Sequence, residues 1–328
     1  MKKKVVAYSR VRKPAQEKLT EKFDLRVYPY GTELTDENFK KDLQDAEGYI
    51  GLEKNIDDEF LRHAPNLKIV SNVSVGYDNF DMEAITKHGV MATNTPDILN
   101  DTVADAIFGL LIATARRIPE LDRYVKNGEW TESLPDEKFG IDVHHKTLGI
   151  IGAGRIGQVI GKRAHFGFDM DILYHNRSRK PEMEEKLNAT YCEQLDDLLE
   201  ASDYVCLMTP STPETRHLMS SDQFKKMKKT AIFINGSRGA TVDEAALAEA
   251  LQTGEILAAG LDVFEEEPTS PDNPLLKLDN VVTTPHIGSS TDETEDNMSL
   301  LAADNVTAAL EGKRPPNLLN EEVWEGKS

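Results

Sequence analysis

Residues 147–177 read TLGIIGAGRIGQVIGKRAHFGFDMDILYHNR, and this stretch decides the fold. An apolar, strand-like run leads into Gly152, Gly154 and Gly157, a helical segment follows, and a second apolar run ends at Tyr174. Glycines in that strand–turn–helix setting have separate duties. Gly152 permits the tight turn, Gly154 lets the backbone approach a pyrophosphate, and Gly157 lets the helix pack closely on the strand. The phosphates would sit at the helix N-terminus, where free N–H groups and the helix dipole favour anions. The stretch is therefore expected to hold a dinucleotide.

The end of the second strand bears on which dinucleotide fits. An NAD site usually places Asp or Glu about 20 residues past the glycines to hold the ribose 2′-hydroxyl. Here that position falls to His175, followed by Asn176, Arg177, Ser178, Arg179 and Lys180. A carboxylate would repel a 2′-phosphate, whereas a guanidinium grips it through paired hydrogen bonds. Arg177 is the expected cation, with Ser178 as a neutral donor and Arg179 in support. NADP(H) is the expected cofactor, with NAD(H) as the alternative.

The chain's 328 residues are enough for two domains, and 39% hydrophobic with 29% charged residues is ordinary globular composition. A net charge of −19 argues against nucleic-acid and anionic-membrane partners, which call for a basic face. Cys192 and Cys206 form no CxxC pair, which excludes a disulfide framework and a cysteine-built metal site. His144 and His145 are adjacent rather than spaced as metal ligands, so no metal is expected. The start, MKKKVVAYSR, lacks the apolar segment of a signal peptide, and no run is long enough to span a membrane. A soluble cytoplasmic protein is the expectation.

Short apolar runs alternate with helical segments throughout, the pattern of parallel sheets wrapped by helices. Strands are expected at Val5–Ser9, Leu25–Tyr28, Tyr49–Leu52, Ile69–Val73 and Met91–Thr93. A second series is expected at Leu148–Ile151, Ile172–Tyr174, Val205–Thr209, Ala231–Asn235, Gly260–Val263 and Val281–Thr284. Two connecting helices stand out. One has Asn100 as its cap and an apolar stripe at Val103, Ile107, Leu110, Leu111 and Thr114. The other is expected to start at a capping box, Ser290 with Glu293, and carries Met298, Leu301, Ala302, Val306 and Leu310. The expected architecture is α/β, a Rossmann domain (100–287) inserted into a flavodoxin-like substrate domain (1–99 plus 288–328), with substrate between them.

Three later segments carry candidate chemistry. INGSRG at 234–239 places Arg238 just past a strand, where ligands of open α/β sheets bind. GLDVFEEEP at 260–268 offers Asp262 and three successive glutamates, and TPHIGSST at 284–291 sets His286 after a strand and Pro285.

These segments, in this order after the fingerprint, resemble the D-2-hydroxyacid dehydrogenase family over nearly the whole chain. SVGYDNFD at 74–81, DTVADAIFGLLIATARR at 101–117 and LMTPSTPETRHLM at 207–219 share in the resemblance. DVHHKTLGI (142–150), RAHFGF (163–168) and ILYHNR (172–177) are most similar to the glyoxylate/hydroxypyruvate reductase B and 2-ketogluconate reductase branch. The resemblance implies a catalytic set of Arg238, Glu267 and His286. Arg238 would grip a 2-oxoacid carboxylate and polarise its carbonyl, His286 would give a proton to the oxygen, and Glu267 would fix and favour the protonated ring. It further implies that the Val75 and Gly76 N–H groups hold the substrate carboxylate. On the cofactor side it implies Arg155 and Ile156 at the pyrophosphate. Thr209, Gly236, Ser237, Asp262 and Gly288 would line the cofactor site, with Asn176 beside Arg177 and Ser178. The segment around Trp130 would belong to the arm of a homodimer. The implied activity is NADPH-dependent reduction of glyoxylate, hydroxypyruvate or 2-ketogluconate. Two other readings are an NAD-linked dehydrogenase of the 3-phosphoglycerate type and a dinucleotide-sensing co-repressor.

Overall fold

The apolar runs fold as parallel strands in two separate sheets. In the first, β1 (Lys4–Tyr8), β2 (Asp24–Tyr28), β3 (Ala46–Gly51), β4 (Ile69–Asn72) and β5 (Met91–Thr93) lie in the order β2-β1-β3-β4-β5. This is the flavodoxin-like order, with its switch point between β1 and β3. The second sheet contains β6 (Thr147–Ile151), β7 (Asp171–His175), β8 (Thr190–Tyr191), β9 (Tyr204–Leu207), β10 (Ile232–Asn235), β11 (Ala258–Leu261) and β12 (Val281–Thr283). Its order, β12-β11-β10-β9-β6-β7-β8, places the switch point between β6 and β9, as in a Rossmann fold. The computed structural model describes residues 2–326. Its contacts divide into two units, one running through Leu99 and resuming at Ser290, the other Asn100–Ser289. Met1, Lys327 and Ser328, at the ends of the expected first-domain segments, lie outside the described residues.

Each sheet is buried by helices. In the second unit the Asn100–Ala115 helix lays Val103, Ile107, Leu110, Leu111 and Thr114, all buried, against β10 and β11. In the first, the Asp292–Leu310 helix packs on β3 and β4 through Met298, Ala302, Val306 and Leu310. A Cβ on Gly48 of β3 would come within 3.2 Å of Val306, so the strand and helix meet closely there. None of the helices among the described residues is long and apolar enough to cross a membrane.

Two local expectations need correction. Asn100 is the first helical residue rather than a cap. The late helix is capped by Thr291, whose hydroxyl accepts from the Thr294 N–H, so Ser290 and Glu293 form no capping box. The edge strand β8 has only two residues and left no readable pattern in the sequence.

Tyr49 in β3 is 2% exposed, and its hydroxyl has no hydrogen-bond partner among the described residues. A buried unpaired hydroxyl bears its desolvation cost with no return. Tyr49→Phe should therefore stabilise the fold by about 1 kcal/mol, read as a rise in the denaturant midpoint. A lower midpoint would show that the hydroxyl is satisfied in solution.

Candidate active site

At the end of β6 the chain turns at Gly152, whose φ of +96° lies in the left-handed region that glycine favours. A Cβ there would strike the Met208 carbonyl at 2.7 Å, so no side chain fits. Gly157 is equally constrained, since its Cβ would lie 2.4 Å from the Gly152 oxygen. Gly154, by contrast, would meet nothing within 4 Å. It precedes the Arg155–Phe168 helix and supplies no side-chain cap. Past β9, the Thr209 hydroxyl is buried without a partner among the described residues. A helix N-terminus lacking a side-chain cap and an orphaned hydroxyl fit a phosphate-bearing ligand.

The segment after β7 is held from within. The Asn176 side chain donates to the Ser178 carbonyl at 2.9 Å, and His175 Nδ1 lies 3.0 Å from the Cys192 carbonyl. Arg177 is exposed and has no ion-pair partner among the described residues. Its charge reaches Glu214, whose carboxyl is held below its usual range by a Thr212 hydrogen bond, its own backbone N–H and Arg177. Arg179, expected in support of Arg177, pairs with Glu184. Its Nε and Nη2 engage Glu184 at 3.0 and 2.6 Å, and the guanidinium lies 5.5 Å from the Tyr191 ring centre. The i, i+5 pairing with Glu184 across a turn outcompetes solvent for that guanidinium.

The second sheet gathers the candidate side chains Arg238, Glu267 and His286 past the carboxyl ends of β10, β11 and β12. His286 Nδ1 stands 2.7 Å from Glu267 Oε2. The other carboxylate oxygen of Glu267 accepts the Phe264 N–H at 2.9 Å, so the group is held at both ends. Partial burial opposes ionisation of Glu267. Hydrogen bonds from His286 and Phe264, with the charges of His286 and Arg238, outweigh it and keep the carboxyl below its usual range. His286 itself sits at φ +52° just past β12. Asp262, 3% exposed, fixes that geometry: it accepts from Thr284 Oγ1 at 2.6 Å, Ile287 N–H at 2.8 Å and Gly288 N–H at 3.0 Å.

Arg238 follows β10, with Nη1 donating to the Ser237 carbonyl at 2.8 Å. The next residue, Gly239, lies flush against the Glu267 loop; a Cβ there would fall 1.8 Å from the Phe264 carbonyl carbon. Only glycine lets the Arg238 and Glu267 segments touch backbone to backbone. Gly236 likewise admits Ile107, which a Cβ would meet at 2.4 Å. The Ser237 hydroxyl is committed inward to Asn235 at 2.9 Å, with Thr241 at 3.1 Å.

In the first unit the loop after β4 presents N–H groups outward. Asn72 Nδ2 donates to the Gly76 carbonyl at 2.8 Å, Asn94 Nδ2 to the Val75 carbonyl at 2.8 Å, and Thr95 N–H to the Ser74 carbonyl at 2.9 Å. The Ser74 hydroxyl also donates to Gly76. The Val75 and Gly76 N–H groups have no acceptor among the described residues. With the carbonyls tied back, two donors remain for an anion.

Sequence reasoning missed two features of this site: the threefold anchoring by Asp262, and the contact that makes Gly239 obligatory. LDVF and SRG name the residues but not their neighbours.

Residues 108–288 match the family described as "D-isomer specific 2-hydroxyacid dehydrogenase, NAD binding domain". The chain is 49% identical over 323 residues to glyoxylate/hydroxypyruvate reductase B of Citrobacter koseri, covering 98% of this chain and 99% of that one. It is 48% identical, with the same coverage, to the protein of that name from Escherichia fergusonii. Its fold is similar to an NADPH-dependent glyoxylate/hydroxypyruvate reductase from Sinorhizobium meliloti solved with NADP and malonate. That match has a TM-score of 0.88 at 32% identity and covers 98% of each chain. The chain is thus an enzyme of the D-isomer specific 2-hydroxyacid dehydrogenase family.

Proposed function

We propose that the protein uses NADPH to reduce small 2-oxoacids, namely glyoxylate, hydroxypyruvate and 2-ketogluconate, to D-2-hydroxy acids. The observation that carries this reading is the His286–Glu267 pair at 2.7 Å, placed with Arg238 at the carboxyl edge of the dinucleotide sheet. A bound nicotinamide would supply the hydride. His286, with Nδ1 turned to Glu267, would offer its Nε2 proton to the carbonyl oxygen as that oxygen gains charge. Ionised Glu267 favours the protonated ring. Arg238 would hold the substrate carboxylate and polarise the carbonyl, with the Val75 and Gly76 N–H groups as further donors to the carboxylate. Gly152, Gly154, Gly157 and the N–H groups of Arg155 and Ile156 would cradle the pyrophosphate. Thr209, Gly236, Ser237 (through its backbone), Asp262 and Gly288 would line the nicotinamide end. The names of the similar reductases support this substrate class, and the NADP-bound relative supports the cofactor.

Preference for NADPH rests on Arg177, exposed and uncommitted beside Asn176 and Ser178 where an NAD site would set a carboxylate. A homodimer accounts for the Ile118–Lys126 helix, which buries none of its residues, and for Trp130 and Phe139, 62% and 57% exposed. An adjoining groove of about 620 Å³, lined by Leu110, Pro119, Ile141 and Val281 among others, offers a seat for a second copy. Two buried, unpaired thiols suit the cytoplasm.

Three kinetic experiments test the reading, each by consumption of NADPH or NADH with the three 2-oxoacids. Arg177→Ala should raise the KM for NADPH by roughly one to two decades, the worth of a charged hydrogen bond, and leave NADH nearly unchanged. Equal losses with both cofactors would remove Arg177 from the 2′-phosphate site.

His286→Ala should lower kcat by about 10²–10⁴ while cofactor binding persists. In Glu267→Gln the neutral amide no longer favours the protonated ring, so the alkaline limit of the reduction should move to lower pH. An unmoved profile would assign the histidine's partner elsewhere.

Arg238→Lys should lose about ten- to a hundredfold in kcat/KM for 2-oxoacids, because an ammonium cannot copy the paired hydrogen bonds. Neutral carbonyl compounds of similar size should lose less, narrowing the preference for acids. Full retention of that preference would mean another cation anchors the carboxylate.

A further inference from the structure

We propose that Glu244 is a positioning residue for the reaction site, clamping the loop that carries Glu267 so that its carboxylate meets His286. The inference rests on the reading of His286 and Glu267 as the proton-donating pair. Glu244 is the first residue of the Glu244–Thr253 helix, whose cap is already supplied by Asp243 accepting from the Ala246 N–H at 3.0 Å. Its own carboxylate is therefore not needed for capping, and it turns to the loop leaving β11. One oxygen accepts the Glu265 N–H at 2.7 Å and the other accepts Asn273 Nδ2 at 2.7 Å. The Glu244 N–H returns a bond to the Glu265 carboxylate at 3.3 Å.

Glu265 and Asn273 lie on either side of Glu267 in the chain, so one side chain holds both ends of the segment that presents the catalytic carboxylate. Asn273 also ties Thr269 at 3.1 Å and caps the short turn at Leu275. Between these points Glu265, Glu266 and Glu267 are exposed and carry little apolar contact of their own. Packing at Phe264 and Leu275 anchors the loop ends, and the Phe264 N–H holds one Glu267 oxygen at 2.9 Å, so Glu244 acts by fixing the backbone around that contact. A bond of 2.7 Å weakens quickly with a small displacement.

Glu244 acts through the loop rather than on the ring. Arg238 is the further charge acting on Glu267, and Asp262 is turned to the Ile287 and Gly288 N–H groups. The Glu265 carboxylate faces His217 Nε2 at 3.0 Å.

The test is an NMR measurement of the His286 ring nitrogens in the full chain, assigned with His286→Ala, in wild type, Glu244→Ala, Glu244→Gln and Asn273→Ala. In Glu244→Ala the Nδ1 signal should move away from its wild-type position, because Glu267 no longer sits against it. Glu244→Gln keeps an oxygen for the Glu265 N–H and should stay near wild type, and Asn273→Ala should move the signal in the same direction as Glu244→Ala, by less. In reduction assays Glu244→Ala should lose about tenfold in kcat with the KM for NADPH unchanged. A folded Glu244→Ala protein with the wild-type Nδ1 signal and kcat overturns the proposal; should that variant not fold, an unmoved signal in Asn273→Ala overturns it instead. Retained turnover in His286→Ala would sink the catalytic reading alone, since the ring signals need no turnover.

Discussion

A single buried carboxylate sets the geometry of the reactive edge. Asp262 leaves β11 with both oxygens engaged, one by Thr284 Oγ1 and the Ile287 N–H, the other by the Gly288 N–H. These bonds draw the turn after β12 against the end of β11 and hold His286 in a left-handed conformation that its side chain alone would not select. Burial makes the arrangement stiff, because a carboxylate out of water cannot give up any of these donors cheaply. The His286 ring is thereby placed before any ligand arrives.

The same edge depends on the absence of side chains. Gly239 lets the Arg238 segment lie against the Phe264 carbonyl, and Gly152 lets the glycine turn cross the Met208 carbonyl. In both cases a methyl group would fall well inside van der Waals contact. The side chains proposed for the chemistry, Arg238, Glu267 and His286, remain partly exposed, while the groups that aim them are buried or backbone. Rigidity at the strand ends and access at the side chains are supplied by different residues, as preorganised sites require.

Much of the fold was legible because parallel strands buried on both faces must read as continuous apolar runs. Most of the expected strands lie within a residue or two of where they form, including β5 at Met91–Thr93. The two stripes at Val103–Thr114 and Met298–Leu310 were readable for the same reason: a helix buried on one face repeats every turn. Boundaries were less legible. Ser290 with Glu293 carries the spacing of a capping box, yet Thr291 takes the cap, since neighbouring hydroxyls compete and backbone direction chooses between them. Arg179 was expected to support Arg177, and the pairing with Glu184 was not legible in the string of cations.

Residue identity alone determined the two doubly wound sheets and the glycine turn, which follow from periodicity and backbone sterics, both local; the set of Arg238, Glu267 and His286 came from the family resemblance. Tertiary structure brought Glu267, of the three successive glutamates, to the histidine, and it alone decided how Asp262 and Gly239 are used. Those are contacts between segments some twenty or more residues apart in the chain, set by how β10, β11 and β12 line up side by side. A sequence specifies such a contact only through the whole fold, because a hydrogen bond of 2.7 Å depends on the placement of both partners at once.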